Sequence, residues 1–295
     1  MIRTGKKFSK PEMSRVINGD IILDAGPDKP ELFRLDHLLV EQNKEYNRST
    51  LQTFIKSGFV EVDGKIVKKP NTKVEKNAKI VLNAPKNTKK LEKLEVIFED
   101  ENVLVVDKPA GLLSMAKGEY CPETTLEDYG LLVHRLDRDT SGVVILAKNE
   151  ETRKMLRKQF QDRKTHKTYY AIVEGRPKLD EAMIDLPIAR NLKHPTTFQV
   201  DPKGKEAKTH YKVLKTDNNF SLIELKPESG RTHQLRVHMK YIGTPIYGDP
   251  VYGSGKKAKR LFLHAKKLEI TIPGKNENQR KTFESELPKE FKNVF

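Results

Sequence analysis

Beyond residue 91 the apolar residues gather into short runs separated by charged and turn-forming stretches. The longest is Val143-Val144-Ile145-Leu146-Ala147. Runs of this kind can cross a sheet but not a bilayer, which takes about 20 apolar residues. Seven of them, at 96–98, 103–106, 143–147, 169–173, 209–214, 221–225 and 268–271, read as strands. Two helical patterns interrupt the series. Asn149 can cap the first, which puts Met155, Leu156, Gln159 and Phe160 on one side. The second spans about 231–241 and stops at Gly243. Many strands with few helices between them indicate an α+β chain with a mixed or antiparallel sheet, not a doubly wound one.

The first 90 residues read differently. Residues 1–30 carry Gly5, Gly19, Gly26, Pro27 and Pro30 with little apolar pattern, as a loosely ordered arm would. Leu35, Leu38 and Leu39, then Leu51, Phe54 and Ile55, recur at helical spacing, with Ser49 available to cap the second helix. Apolar and polar residues then alternate around Asp63-Gly64, the signature of a β-hairpin. A last strand follows at 79–82. The polar stretch Ala84-Pro85-Lys86-Asn87-Thr88-Lys89-Lys90 reads as a linker. The expected plan is an arm at 1–30, a small αβ domain at 31–84, a linker at 85–91 and a larger domain at 92–295.

Charge sharpens the picture. The formal net charge is +15, from 56 basic and 41 acidic side chains. Between Gly64 and Lys90, nine lysines face the single acid Glu75. A polyanion is the natural partner, and a lysine-rich hairpin can grip phosphates without reading sequence. Cys121 is the only cysteine, which excludes disulfide frameworks, cysteine-ligated zinc and iron–sulfur clusters. No secretory signal or membrane span is visible, so a cytoplasmic protein without membrane attachment is expected.

Two segments are too polar and Arg-rich for a core. The first, His134-Arg135-Leu136-Asp137-Arg138-Asp139-Thr140-Ser141-Gly142, sets two acids among two arginines just before an apolar strand. A carboxylate kept charged by a neighbouring arginine can serve as nucleophile or base at neutral pH. On composition alone, a surface ion-pair loop is the favoured explanation. The second is Glu228-Ser229-Gly230-Arg231-Thr232-His233-Gln234-Leu235-Arg236-Val237-His238. His233 and His238 stand five apart, the wrong spacing for a shared metal on a helix, so no metal site is expected. Gly253-Ser254-Gly255-Lys256-Lys257 fails as a phosphate loop, because Pro250 and Lys257 occupy positions that need Gly and Ser or Thr.

Further motifs point to a family. Asp107-Lys108-Pro109-Ala110-Gly111, then His134-Arg135-Leu136-Asp137 with Thr140-Ser141-Gly142, then Lys167-Thr168-Tyr169-Tyr170-Ala171-Ile172-Val173 follow one another in order. Gly230-Arg231-Thr232-His233-Gln234-Leu235-Arg236 and Gly243-Thr244-Pro245-Ile246-Tyr247-Gly248-Asp249 complete the set. Together these resemble the RluA family of RNA pseudouridine synthases. Arg34-Leu35-Asp36, Arg48-Ser49, Ile55-Lys56-Ser57-Gly58 and Val62-Asp63-Gly64 resemble the S4-like RNA-binding domain. The stretch between Gly111 and His134 is shorter than in many family members.

The resemblance implies an S4-like αβ module followed by a mixed or antiparallel-sheet catalytic domain that isomerises uridine without a cofactor. It makes Asp137 the catalytic carboxylate, Arg231 its ion-pair partner, and Tyr169 the ring lying against the target base. Arg135 would push into the space that the base leaves, and His134, Thr140, His233, Gln234 and Arg236 would line the substrate site. Arg34, Arg48, Lys56, Lys65 and Lys68 would contact RNA from the S4-like module. Further basic candidates are Arg153, Lys154, Arg157 and Lys158 on one helix and the run Lys256 to Arg260. Members with an S4-like domain mostly act on large-subunit ribosomal RNA, so that RNA or its precursor is the expected partner of a monomeric enzyme. The rival reading is an inactive, ribosome-associated RNA-binding protein.

Overall fold

A computed structural model describes residues 14–17, 20–23, 31–84, 91, 93–116, 123–255 and 258–295. Most of the expected arm, residues 85–90 of the expected linker, Cys121, Lys256 and Lys257 lie outside the described residues. The chain divides into two compact units, Met1–Asn87 and Thr88–Phe295.

The first unit contains β1 (Ser14–Ile17), β2 (Asp20–Leu23), β3 (Leu32–Arg34), α1 (Leu35–Gln42), α2 (Arg48–Ser57), β4 (Val60–Val62), β5 (Lys65–Ile66), β6 (Lys73–Glu75) and β7 (Ile80–Leu82). Leu35, Leu39, Leu51, Phe54, Ile55 and Val60 are fully buried, so the two helical patterns share one small core. The cap of α2 is Asn47, whose side chain accepts from Thr50 N at 2.9 Å, not the expected Ser49. Ser49 is the second residue of the helix and donates to Asn47 Oδ1 at 2.6 Å. The β4–β5 hairpin turns through Asp63 and Gly64 with φ of 50° and 76°, the paired positive values that a tight two-residue turn demands. β3 pairs with β6, and β4 lies between β5 and β7.

The second unit contains β8 (Glu95–Glu99), β9 (Val103–Lys108), β10 (Leu131–Leu132), β11 (Ser141–Ala147), α3 (Glu150–Gln161), β12 (His166–Glu174), β13 (Glu181–Asp185), β14 (Ile188–Arg190), β15 (Phe198–Val200), β16 (Lys208–Thr216), β17 (Phe220–Pro227), α4 (Gln234–Tyr241), β18 (Leu263–Ile272), β19 (Gln279–Glu284) and α5 (Lys289–Lys292). Its main sheet runs β13-β16-β17-β12-β18-β11-β9-β8, with β10 on β11 and β19 on β18. Its pairs are antiparallel except β11 with β18, which run parallel through Ser141–His264 and Gly142–Ala265. The sheet is therefore mixed, as the scattered strand pattern indicates.

Every residue of β11 is buried, which explains its unbroken apolar run: it is covered on both faces. One cover is α3, capped by Asn149 as the sequence suggests, with Leu156 packed on Val103, Ile145 and Ile270. α4 covers Ala171, Ile223 and Leu263 through Leu235 and Met239. Gly142 sits where β11 meets β18. A Cβ there would stand 2.3 Å from Ala265 O, and φ is +116°, so only glycine fits. The polar loop at 134–140 leads straight into this junction.

Candidate active site

A cavity of about 570 Å³, a size suited to a small ligand, opens over the loop before β11. The loop, β12 and the segment joining β17 to α4 line it, contributing Asp137, Tyr169 and residues 228–236. Asp137 is about one-fifth exposed, and its Oδ2 accepts from Arg236 Nη1 at 3.2 Å. Arg236 is itself fixed by Asp249: Nε reaches Oδ2 at 2.7 Å and Nη2 reaches Oδ1 at 2.8 Å. Such a two-pronged pair holds the guanidinium plane in one orientation. The Asp249 carboxylate is steadied in turn by Val251 N and Tyr252 N, and Arg236, beside Tyr252, holds its pKa below the usual range despite burial.

The expected pairing of Arg231 with Asp137 is not what forms. α4 begins at Gln234, three residues later than expected, because residues 230–233 make a turn. Gln234 Oε1 accepts from Ser229 Oγ (2.7 Å) and from Arg231 N (3.1 Å), while His233 takes a φ of 56°. The turn directs Arg231 to Glu206, whose O accepts from its Nε at 3.0 Å. Arg236, on the first turn of α4, points inward instead.

His233 also borders Asp137, with Nε2 at 3.9 Å from Oδ2, and its Nδ1 meets Tyr252 Oη at 2.8 Å. Burial lowers its pKa, partly opposed by Asp137. Tyr169 is pushed up, first by burial and then by Asp137, so it stays a neutral phenol. His134 lies beneath the loop, stacked on Phe160 at 4.5 Å, with Nε2 accepting from Ile145 N at 3.2 Å. Burial holds its pKa down to about 3, which keeps that nitrogen an acceptor. Thr140 is buried, its N donating to Asp137 O at 3.2 Å. Gln234 spends its amide donors on Lys208 O and Thr209 Oγ1, so its polar atoms build the wall of the cavity. Arg135 is exposed at the rim, its Nη1 3.8 Å from Met115 Sδ.

Lys108 anchors the loop from below. Its buried ammonium donates to Pro109 O, Leu112 O and Arg138 O at 2.8–2.9 Å, and burial pushes its pKa down to about 7. Ser114 adds a second tie, its Oγ donating to Leu136 O at 2.7 Å and accepting from Leu136 N at 3.1 Å. Asp137 is thus bracketed by main-chain contacts on both sides.

In the first unit, Arg34 and Arg48 converge on fully buried Asp36, at 2.9 and 2.8 Å, with Gln52 donating at 2.7 Å. Those donors hold the Asp36 carboxyl well below the usual carboxylate range. Lys56, Lys65 and Lys68 are exposed. On α3, Lys154, Arg157 and Lys158 are exposed, whereas Arg153 pairs with Glu150 at 2.9 Å. Arg260 is drawn inward, its Nη2 donating to Ser141 Oγ. Asp249 and Tyr252 have no assigned role in the sequence reading. Asp249 ends its last motif block and Tyr252 lies three residues beyond, but nothing local shows that they reach back to Arg236 and His233.

A family model described as RNA pseudouridylate synthase matches residues 102–241, and one described as S4 domain matches 33–80. An uncharacterised RNA pseudouridine synthase of Aquifex aeolicus is 36% identical, over 89% of this chain and 92% of that protein. Ribosomal large subunit pseudouridine synthase D of Borreliella burgdorferi is also 36% identical, over 89% of each. Among solved structures, human RNA pseudouridylate synthase domain containing 1 superposes with a TM-score of 0.56 at 28% identity, covering 64% of this chain and 82% of that one. With identity at this level along nearly its whole length, the chain belongs to the RNA pseudouridine synthase family.

Proposed function

We propose that the chain converts specific uridines of large-subunit ribosomal RNA, or of its precursor, to pseudouridine, with Asp137 as the catalytic carboxylate. The observation that carries this reading is the placement of Asp137 on the cavity floor, held by Arg236 and bracketed by main-chain contacts to Lys108 and Ser114. The ribosomal substrate is supported by relatives named ribosomal large subunit pseudouridine synthase D at about 35% identity. Among the described residues no helix is long and apolar enough to cross a membrane, which accords with a cytoplasmic site of action.

In the reaction the N1–C1′ bond of uridine breaks, the base turns, and C5 joins C1′. The target base must first leave its stack, at a cost of a few kcal/mol. Exposed Arg135 at the rim is placed to fill the gap. Lys56, Lys65 and Lys68, with the exposed cations of α3, supply phosphate contacts that offset part of that cost. Tyr169, a neutral phenol, offers a ring face for the base and can relay the C5 proton only by exchanging its own. The Arg236–Asp249 pair keeps Asp137 from turning away as the nucleoside enters.

Tritium release from unmodified [5-³H]uridine-labelled large-subunit ribosomal RNA tests the reading, with wild type and Asp137→Asn compared directly. Release by wild type alone is expected. Equal release by both would remove Asp137 from the mechanism. RNA binding by wild type without release would favour the inactive RNA-binding alternative.

A further inference from the structure

Lys167 lines the cavity two residues before Tyr169 on β12, whereas the intervening Thr168 does not. Its Nζ makes one hydrogen bond, to Ser229 O at 3.2 Å. Among the described residues no carboxylate pairs with it. An ammonium carries three donors, so two remain open beside the cavity. Burial alone pushes its pKa down to about 8. Lys108 shows the contrast: there three carbonyl oxygens absorb all three donors, and the charge is spent on structure. A half-satisfied cation at a cavity wall is costly by itself, and becomes favourable when negative charge develops nearby.

The neighbourhood says where that charge arises. Arg135 and Arg163 are exposed at the rim, suited to phosphates, whereas Lys167 lies beside the ring that faces the target base. We propose that Lys167 is a catalytic residue, whose ammonium donates to a uracil carbonyl oxygen as the base separates from C1′. The inference rests on the synthase reading given above.

When N1–C1′ breaks, the bonding pair stays with N1 and spreads onto O2 and O4. The electron deficiency at C1′ is met by Asp137, through a bond to C1′ or by taking the C2′ proton, and is reversed when C5 bonds to C1′. C5 then gives up its hydrogen as a proton and N1 gains one. Lys167 exchanges no proton in this sequence. It stabilises charge that exists only between the two bonds.

Other titratable or charged groups around the cavity are His134, Asp137, Glu228 and His233, the phenol Tyr169, and the guanidinium groups of Arg135, Arg163, Arg231 and Arg236. The histidines are lowered and Tyr169 is raised, away from the range in which Lys167 loses its proton. Lys108 beneath the loop, lowered to about 7, titrates alike in wild type and both Lys167 variants, so the difference between Lys167→Arg and wild type reads Lys167.

The test uses the full-length protein, the ribosomal RNA assay, and the variants Lys167→Met and Lys167→Arg. Single-turnover tritium release and RNA affinity are measured from pH 6.5 to 9.5. The wild-type rate, taken first, separates failure of this inference from failure of the function itself. The expected result is a fall of about 10²-fold in rate for Lys167→Met, the cost of losing one charge-stabilising donor, with little change in affinity. Lys167→Arg should retain more activity and should lose the wild-type decline above about pH 8, because guanidinium stays charged. A rate within threefold of wild type for Lys167→Met would overturn the proposal. So would parallel losses of rate and affinity, which would make Lys167 a tether for the Ser229 loop.

Discussion

Arg236 divides its guanidinium between two carboxylates, giving two nitrogens to buried Asp249 and the third to Asp137. Lysine can supply the charge but not this fork. Arg236→Lys should therefore slow tritium release by about 10²-fold, the scale of a small misplacement of a reacting group. Asp249→Asn should act in the same direction. Arg231→Ala should alter RNA affinity more than the chemical step, since Arg231 touches Glu206 O and not Asp137. Single-turnover rates and filter-binding affinities for the three variants would separate these effects. A larger chemical defect in Arg231→Ala than in Arg236→Lys would return the pairing role to Arg231.

Gly142→Ala should destabilise the second unit by at least about 1–3 kcal/mol, the usual cost of overpacking, with backbone strain added. Its Cβ would meet Ala265 main-chain atoms that cannot step aside as a side chain end could. Urea unfolding is the measurement. Activity at low denaturant should fall as well, because the loop carrying Asp137 enters β11 one residue before Gly142.

His134 provides a pH signature. Its pKa is about 3 in the folded protein and near 6.5 when unfolded, so the unfolded chain binds the extra proton between those values. Its contribution to stability is complete above pH 6.5 and is lost as pH falls toward 3. His264, lowered to about 4, acts in the same direction. His134→Gln keeps an acceptor for Ile145 N and removes the titration. Its unfolding free energy should lose about 1.4 kcal/mol less per pH unit than that of wild type between pH 6 and 4. Unfolding curves at several pH values would show it, and parallel pH dependences would refute it.

The lysines of the first unit make a salt-dependent prediction. Each lysine that neutralises a phosphate steepens the fall of log K with log salt by about 0.7–0.9. Replacing Lys56, Lys65 and Lys68 together with Gln should flatten that slope by up to about 2–3 and weaken RNA binding, leaving the second unit folded. An unchanged slope would show that these exposed lysines touch no phosphate. Arg34 and Arg48 are poor choices for this test, because losing either also removes one of the donors that hold buried Asp36.

Much of this architecture can be read locally. β11 announces itself by an apolar run, the β4–β5 hairpin by Asp63-Gly64, and α3 by Asn149. What sequence alone leaves hidden depends on distant partners. β13 and β19 carry mostly charged or exposed residues and become strands only because β16 and β18 offer them edges. The choice between Arg231 and Arg236 is similar. Both lie in one motif, and only the turn closed by Gln234 decides which of them faces Asp137. Asp249, thirteen residues beyond Arg236, matters because α4 carries Arg236 alongside it.

Lys108 holds the loop that carries Asp137 solely through peptide oxygens, including that of exposed Arg138. A peptide oxygen is present whichever side chain its residue carries. The share of the anchoring that Lys108 supplies is therefore insulated from side-chain changes at the positions that accept from it. Residue 138 keeps this Lys108 contact whatever side chain it bears, and the guanidinium now there adds a tie of its own, its Nε donating to Gly111 O at 3.0 Å.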